Sequence, residues 1–145
     1  MQEQRLTQRL LRYWDMIRRD RSLPEIQHFN AQSVEDVWDQ CFRVSISQRN
    51  GLSYTYEYMG KPVINLYGGD MTGEEVDEKM RQFPGSPLHK RMRDVINERK
   101  PLQDEGHIVN SKSGKILKYR ACLLPFGNDG KGITHMVVGL SYREF

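Results

Sequence analysis

The sequence predicts an α+β layer fold: five antiparallel strands, short helices gathered on one face of the sheet and a flanking helix at the N-terminus. Three observations carry this. The periodic stretches run helix, helix, strand, strand, three short helices and then a three-stranded meander. The first two strands are separated by Arg49-Asn50-Gly51-Leu52, and an Asn-Gly pair between alternating segments is a strong short-range hairpin signal. A chain of 145 residues that is 37% hydrophobic has room for one domain around one core.

The first twenty residues form an amphipathic helix, because Leu6, Leu10, Tyr13, Trp14 and Ile17 recur at spacings of three and four. Pro24 closes this region, since the residue before a proline is pushed out of helical geometry. A second helix is predicted to start at Ser33, whose hydroxyl can cap the free N–H groups. Asp36 adds negative charge near that N-terminus, and Val34, Val37 and Trp38 form the buried side.

Strands follow over 41–48 and 53–59. In the second, alternation puts Tyr54, Tyr56 and Tyr58 on one face and Thr55, Glu57 and Met59 on the other. The stretch YTYEYMGKPVINLYGGDMTG then changes character. Pro62 suits the first turn of a helix and Gly68 or Gly69 suits its end, which gives a helix over Val63 to Tyr67. A helix of about two turns cannot nucleate alone and must be held by packing on another surface. Thr72 and Glu75 stand at capping-box spacing and predict a further short helix through Met80. Ser86-Pro87 opens a longer one, with Leu88, Met92, Val95 and Ile96 inward and Lys90, Arg91, Arg93 and Glu98 outward. Strands over 105–110, 116–124 and 133–142 complete the chain, joined by turn formers at 111–114 and 127–130.

Composition narrows the function. No apolar run approaches the roughly 20 residues of a membrane span, and the charged start MQEQRLTQRLLRYW has no signal-peptide core, so a soluble cytoplasmic protein is expected. Cys41 and Cys122 lie far apart in apolar surroundings and are expected to be reduced and buried. The net charge of +3 is too small to imply a polyanion partner. The basic residues His89-Lys90-Arg91-Met92-Arg93 and Arg99-Lys100 are interrupted by Asp94 and Glu98, which reads as a solvated helix face rather than a nucleic-acid site. His28, His107 and His135 show no metal-ligand spacing, and Gly68-Gly69-Asp70 lacks the lysine and spacing of a phosphate loop.

Tyr13-Trp14 followed by Arg19-Asp20-Arg21-Ser22-Leu23-Pro24, and Tyr56-x-Tyr58-x-Gly60 running into Leu66-Tyr67-Gly68-Gly69-Asp70-Met71-Thr72-Gly73, resemble the PAS domains of a proteobacterial family of small, often single-domain proteins. The resemblance covers nearly the whole chain. It implies a flanking helix over 1–22 and a PAS-like sensor domain over 23–145. It also implies a non-catalytic role: a small ligand, or simply a packed apolar core, lies between sheet and short helices, and a change there reaches a signalling partner through the sheet or the flanking helix. Strand parity and helix face select Tyr56, Tyr58, Val63, Ile64, Tyr67, Met80, Met92, Ile96, Tyr119 and Met136 as the candidate ligand lining. The same side chains can equally fill a core that binds nothing.

The resemblance leaves the cofactor unspecified. His89 lies where haem-binding PAS domains carry their axial histidine, but its polar neighbours Lys90 and Arg91 mark it as a surface residue. Neither cysteine sits in the asparagine- and arginine-containing helix motif of the flavin photoreceptors. The competing class is a small cone-shaped enzyme of the ketosteroid-isomerase-like group, which needs a carboxyl group buried in an apolar pocket. Asp70, Glu74, Glu75, Asp77 and Glu78 fall instead in turns and on polar faces, so no catalytic residue is assigned. The apolar stripe Leu6, Leu10, Tyr13, Trp14 and Ile17 must also be covered. The favoured cover is the same helix of a second chain, giving a homodimer; the other is the outer face of the chain's own sheet, at Cys122, Leu124 and Val137.

Overall fold

The computed structural model describes residues 2–49, 51–77, 86–110, 113–128, 130 and 132–144. Helix α1 (Gln2–Arg18) opens the chain, and Arg19, at φ 56°, turns it in the left-handed region ahead of Pro24. Two 3-10 segments, Ile26–His28 and Ala31–Val34, lead into α2 (Glu35–Trp38). Ser33 is not the cap that the sequence suggested. The Asn30 side chain accepts from the Gln32 N–H at 3.0 Å, so winding begins three residues earlier and as a 3-10 turn.

Strands β1 (Cys41–Ser47) and β2 (Ser53–Met59) come next, followed by α3 (Lys61–Tyr67) with Pro62 in its first turn. Gly68 ends α3 at φ 86°, its N–H bonded to the Ile64 carbonyl at 2.9 Å. The chain continues through β3 (Glu75–Asp77), α4 (Ser86–Glu98), β4 (Leu102–Val109), β5 (Ile116–Asn128) and β6 (Gly132–Glu144). The sheet is antiparallel throughout, in the order β3-β2-β1-β6-β5-β4.

The fold class agrees with the sequence, and the strand count is six rather than five. The extra strand is β3, where a helix through Met80 was expected. Thr72 does not cap a helix, because its N–H and hydroxyl both go to Asp70 Oδ1, at 3.0 and 2.6 Å. Gly73, at φ 87°, turns the chain, and Gly73 N–H to Tyr56 O (2.7 Å) and Tyr56 N–H to Glu74 O (3.1 Å) then lay it along β2. Met80 lies outside the described residues.

Two apolar cores occupy opposite faces of the sheet. The inner core joins Phe42, Val44, Tyr54, Tyr56, Met136 and Val138 of the strands to Val63, Leu66 and Tyr67 of α3 and Leu88, Met92 and Val95 of α4. These α4 positions are the ones its periodicity assigned inward. The outer core joins Leu6, Leu10, Tyr13 and Trp14 of α1 to Cys41, Cys122, Leu124, Phe126 and Val137. The expected dimer stripe is therefore spent on the chain's own sheet: Leu6, Leu10, Tyr13 and Trp14 are no more than 6% exposed, while Ile17 is half-buried at the margin. The Trp14 indole N–H donates to Pro125 O at 2.7 Å, and Asn30 N–H donates to the Tyr13 hydroxyl at 2.8 Å.

Candidate functional site

The inner core is where the candidate lining meets. Tyr56 enters from β2, Val63 and Tyr67 from α3, Met92 from α4, Tyr119 from β5 and Met136 from β6, all buried in one cluster; Ile64 and Ile96 pack at its margin. The tyrosine phenols are held protonated. Burial pushes Tyr56 well up from its ordinary value, reinforced by Tyr67, with which it shares a hydrogen bond, and by Tyr54. Burial also raises Tyr67, partly offset by that bond. The Tyr119 hydroxyl donates to Asp104 Oδ2 at 2.9 Å, and burial followed by the Asp104 carboxylate raises it too. The inner core thus presents O–H groups across the physiological range, among methionine, valine and isoleucine side chains.

Tyr58 does not belong there. The register between β1 and β2 shifts after Arg43↔Tyr58 to Val44↔Tyr56, leaving Glu57 as the extra residue of a bulge. A bulge resets strand parity, so Met59 joins the inner core and Tyr58 turns to the outer face. There its ring stacks on Trp38 at 4.4 Å and 8°, and its hydroxyl donates to Trp38 O at 3.2 Å. Tyr54, which alternation already places on the face of Tyr56, is the inner-core tyrosine that the candidate lining left out; it is 1% exposed. His89 also departs from expectation. It is half-buried against Tyr54, with ring centroids 4.8 Å apart, rather than a surface residue.

A polar chain leads from the core to the surface. Asp104 takes the Tyr119 hydroxyl on one oxygen and Arg91 Nε on the other at 3.2 Å, and Arg91 also reaches Asp94 at 3.3 Å. The sequence reading missed Asp104 and Arg91 as partners because they sit on separate elements, β4 and α4. Asp104 is the nearest thing to the buried acid an isomerase would need, with its side chain 12% exposed. It is already paired with Arg91 and bonded to Tyr119, and the groove of about 490 Å³ that it borders is lined mostly by polar side chains, Thr7, Gln8, Gln103, Glu105 and Arg120, with Ala121 the one apolar residue. Among the described residues, no group of three His, Cys, Asp or Glu is placed to hold a metal ion, and no helix is long and apolar enough to cross a membrane.

The outer face carries a second charged cluster. Glu57, thrust out by the bulge, meets Arg43 Nε at 2.8 Å and His135 Nε2 at 3.7 Å. Partial burial lowers the His135 pKa from its ordinary 6.5; Glu57 opposes the shift and Arg43 adds to it. A histidine depressed in the fold binds protons more readily when unfolded, so its contribution is present above about pH 6.5, the unfolded value, and is lost as the pH falls from there through the lower folded pKa. His135→Gln is therefore expected to flatten the fall in melting temperature between pH 7.5 and 5.5. An equally steep fall in the variant would show that other groups control it.

By sequence, residues 2–141 match the family model described as PAS domain. Among solved structures, a LOV protein from Rhodobacter sphaeroides is 11% identical and superposes with a TM-score of 0.51 over 79% of this chain and 68% of its own. A sensory box sensor histidine kinase from Vibrio cholerae is 13% identical, with a TM-score of 0.46 over 77% of this chain and 90% of its own. A PAS domain from Colwellia psychrerythraea is also 13% identical, with a TM-score of 0.45 over 79% and 94%. At such identities the first likeness concerns the fold alone. No curated protein matches the chain by sequence.

Proposed function

The chain belongs to the PAS domain family, whose fold typically serves signal sensing, and from that premise we propose that it is a non-catalytic sensor or interaction domain. In this reading the inner core takes up a small apolar ligand that bears a hydrogen-bond acceptor, among Tyr56, Val63, Ile64, Tyr67, Met92, Ile96, Tyr119 and Met136. The ligand's apolar body meets the aliphatic and methionine side chains, and its acceptor meets a phenol O–H. The response travels through the sheet to α1 and from there to a protein partner.

The observation that carries this reading is that the two cores share their strands residue by residue. Phe42, Leu123, Met136 and Val138 face inward, while their neighbours Cys41, Cys122, Leu124 and Val137 face α1. Ile46 and Ile96 pack against both cores. Interiors are close-packed, so a displacement on one side of such a strand is felt on the other. The isomerase-like alternative has less support, since Asp104 is committed to Arg91 and Tyr119. The proposed homodimer uses the outward side of α1, where Met16 is 64% exposed, because Leu6, Leu10, Tyr13 and Trp14 are occupied.

Native mass spectrometry of the purified full chain tests both parts. A retained small molecule is expected, and Tyr67→Ala is expected to lose it while remaining folded. A dimer peak that Met16→Glu reduces is expected as well. A bare chain in every preparation, or equal ligand retention by Tyr67→Ala, would contradict the ligand site, and a monomer at all micromolar concentrations would contradict the dimer.

A further inference from the structure

The two cysteines share one partner in the sheet. Cys41 of β1 and Cys122 of β5 both pair with Gly139 of β6, one from each side. All three positions face α1, and Leu10 is seated directly over the glycine: a Cβ built there would lie 2.2 Å from Leu10 Cδ1 and 3.7 Å from Cys41 Sγ. Both cysteines and Leu10 are 0% exposed. The helix side chain thus plugs a socket whose floor is the glycine and whose sides are Leu6, with Cδ1 3.6 Å from the same point, and the Cys41 sulfur, while Cys122 flanks the glycine on the other neighbouring strand.

Two strand spacings separate the cysteines, which places their Cα atoms roughly 9.5 Å apart. A disulfide spans at most about 7 Å, so they cannot pair with each other in this sheet. Any oxidation must come from outside, and outside access requires α1 to lift. The helix can do so without dismantling the inner core, because its side chains belong to the outer core only.

We propose that Cys41 and Cys122 form a thiol-modification site gated by α1, in which a disulfide-class oxidant caps a sulfur exposed by the lifted helix and the cap then bars the helix from returning. The thiolate attacks one sulfur of the oxidant RSSR, a protein S–S bond forms, and the other sulfur leaves as RS⁻, which takes up the proton the cysteine gave. A thiol reductant reverses the step. While α1 is docked both thiols are inert: burial raises Cys41, helped by Cys122 and Asp39, and pushes Cys122 up to about 12. The capping group brings several heavy atoms into a space that Leu10 already fills, so cap and docked helix exclude each other. The inference rests on α1 being the mobile element of the relay proposed above.

The test exposes the full chain to glutathione disulfide and follows each cysteine by mass spectrometry across low urea concentrations. Labelling of both cysteines is expected, with a urea dependence shallower than that of global unfolding. Trp14→Ala, which weakens docking without touching the socket, should label at least ~100-fold faster. Labelled wild-type protein should become susceptible to trypsin after Arg9 and Arg12 while its sheet persists. Hydrogen exchange in α1, read in the same samples, separates the two claims. Rapid α1 exchange without labelling, or a labelled protein as resistant to trypsin as the unlabelled one, overturns the thiol site and leaves the relay. Labelling and α1 exchange that both follow the global unfolding slope overturn both.

Discussion

Gly60→Ala is expected to be among the most damaging small substitutions in the protein, lowering stability by about 3 kcal/mol or more in urea titration. The reason is space. Gly60 has an ordinary extended backbone, φ −69° and ψ 155°. A Cβ there would lie 1.8 Å from the carbonyl oxygen of Asp39 and 2.3 Å from its carbon. Those are backbone atoms at the entry to β1 and cannot swing aside as a side chain would. Gly60 also ties two elements together, giving its N–H to Cys41 O at 2.9 Å and accepting the first N–H bond of α3, from Ile64, at 3.0 Å. The methyl group would force apart the start of β1, the end of β2 and the start of α3, which carries Val63 and Tyr67 into the inner core. A loss below 1 kcal/mol would mean that this crossing is looser than described.

Trp14→Ala should be comparably costly, about 3–5 kcal/mol, with most of the loss in the outer core. The indole is buried in that core and donates to Pro125 O at 2.7 Å. Truncation therefore opens a cavity and strips a buried carbonyl of its donor. Trp14→Phe should recover much of the packing but not the hydrogen bond, and should fall between the two. If the two variants unfold at the same urea midpoint, packing does not contribute and the hydrogen bond alone holds the helix.

Much of this arrangement was legible in the sequence, and the exceptions have identifiable causes. The stripe Leu6, Leu10, Tyr13 and Trp14 and the α4 face Leu88, Met92 and Val95 follow helical spacing, which the packing then uses directly. The placement of Cys122, Leu124 and Val137 on the outer face follows from strand alternation and held in the sheet. Alternation failed at Tyr58, because nothing in Tyr54 to Met59 announces that Glu57 bulges, and one inserted residue reverses the parity of everything beyond it. The capping-box reading of Thr72 and Glu75 failed because Asp70 competes for the same threonine two residues earlier, and a local Asx turn won. The Tyr119–Asp104–Arg91 chain was invisible because its members sit on three elements, and meet only through the register of β4 on β5 and the packing of α4 beside β4.

The central claim is that the inner core and α1 are coupled through the shared strands. Amide hydrogen exchange of α1 in Tyr67→Ala, compared with the unmodified protein, tests it most directly, because Tyr67 belongs to the inner core and α1 to the outer one. Coupling of the size usual between linked sites predicts that the α1 amides exchange at least ~5-fold faster in the variant, under conditions where both proteins remain folded. Unchanged α1 protection, alongside weakened protection in α3 and α4, would show that the two faces of the sheet behave independently and would contradict the account.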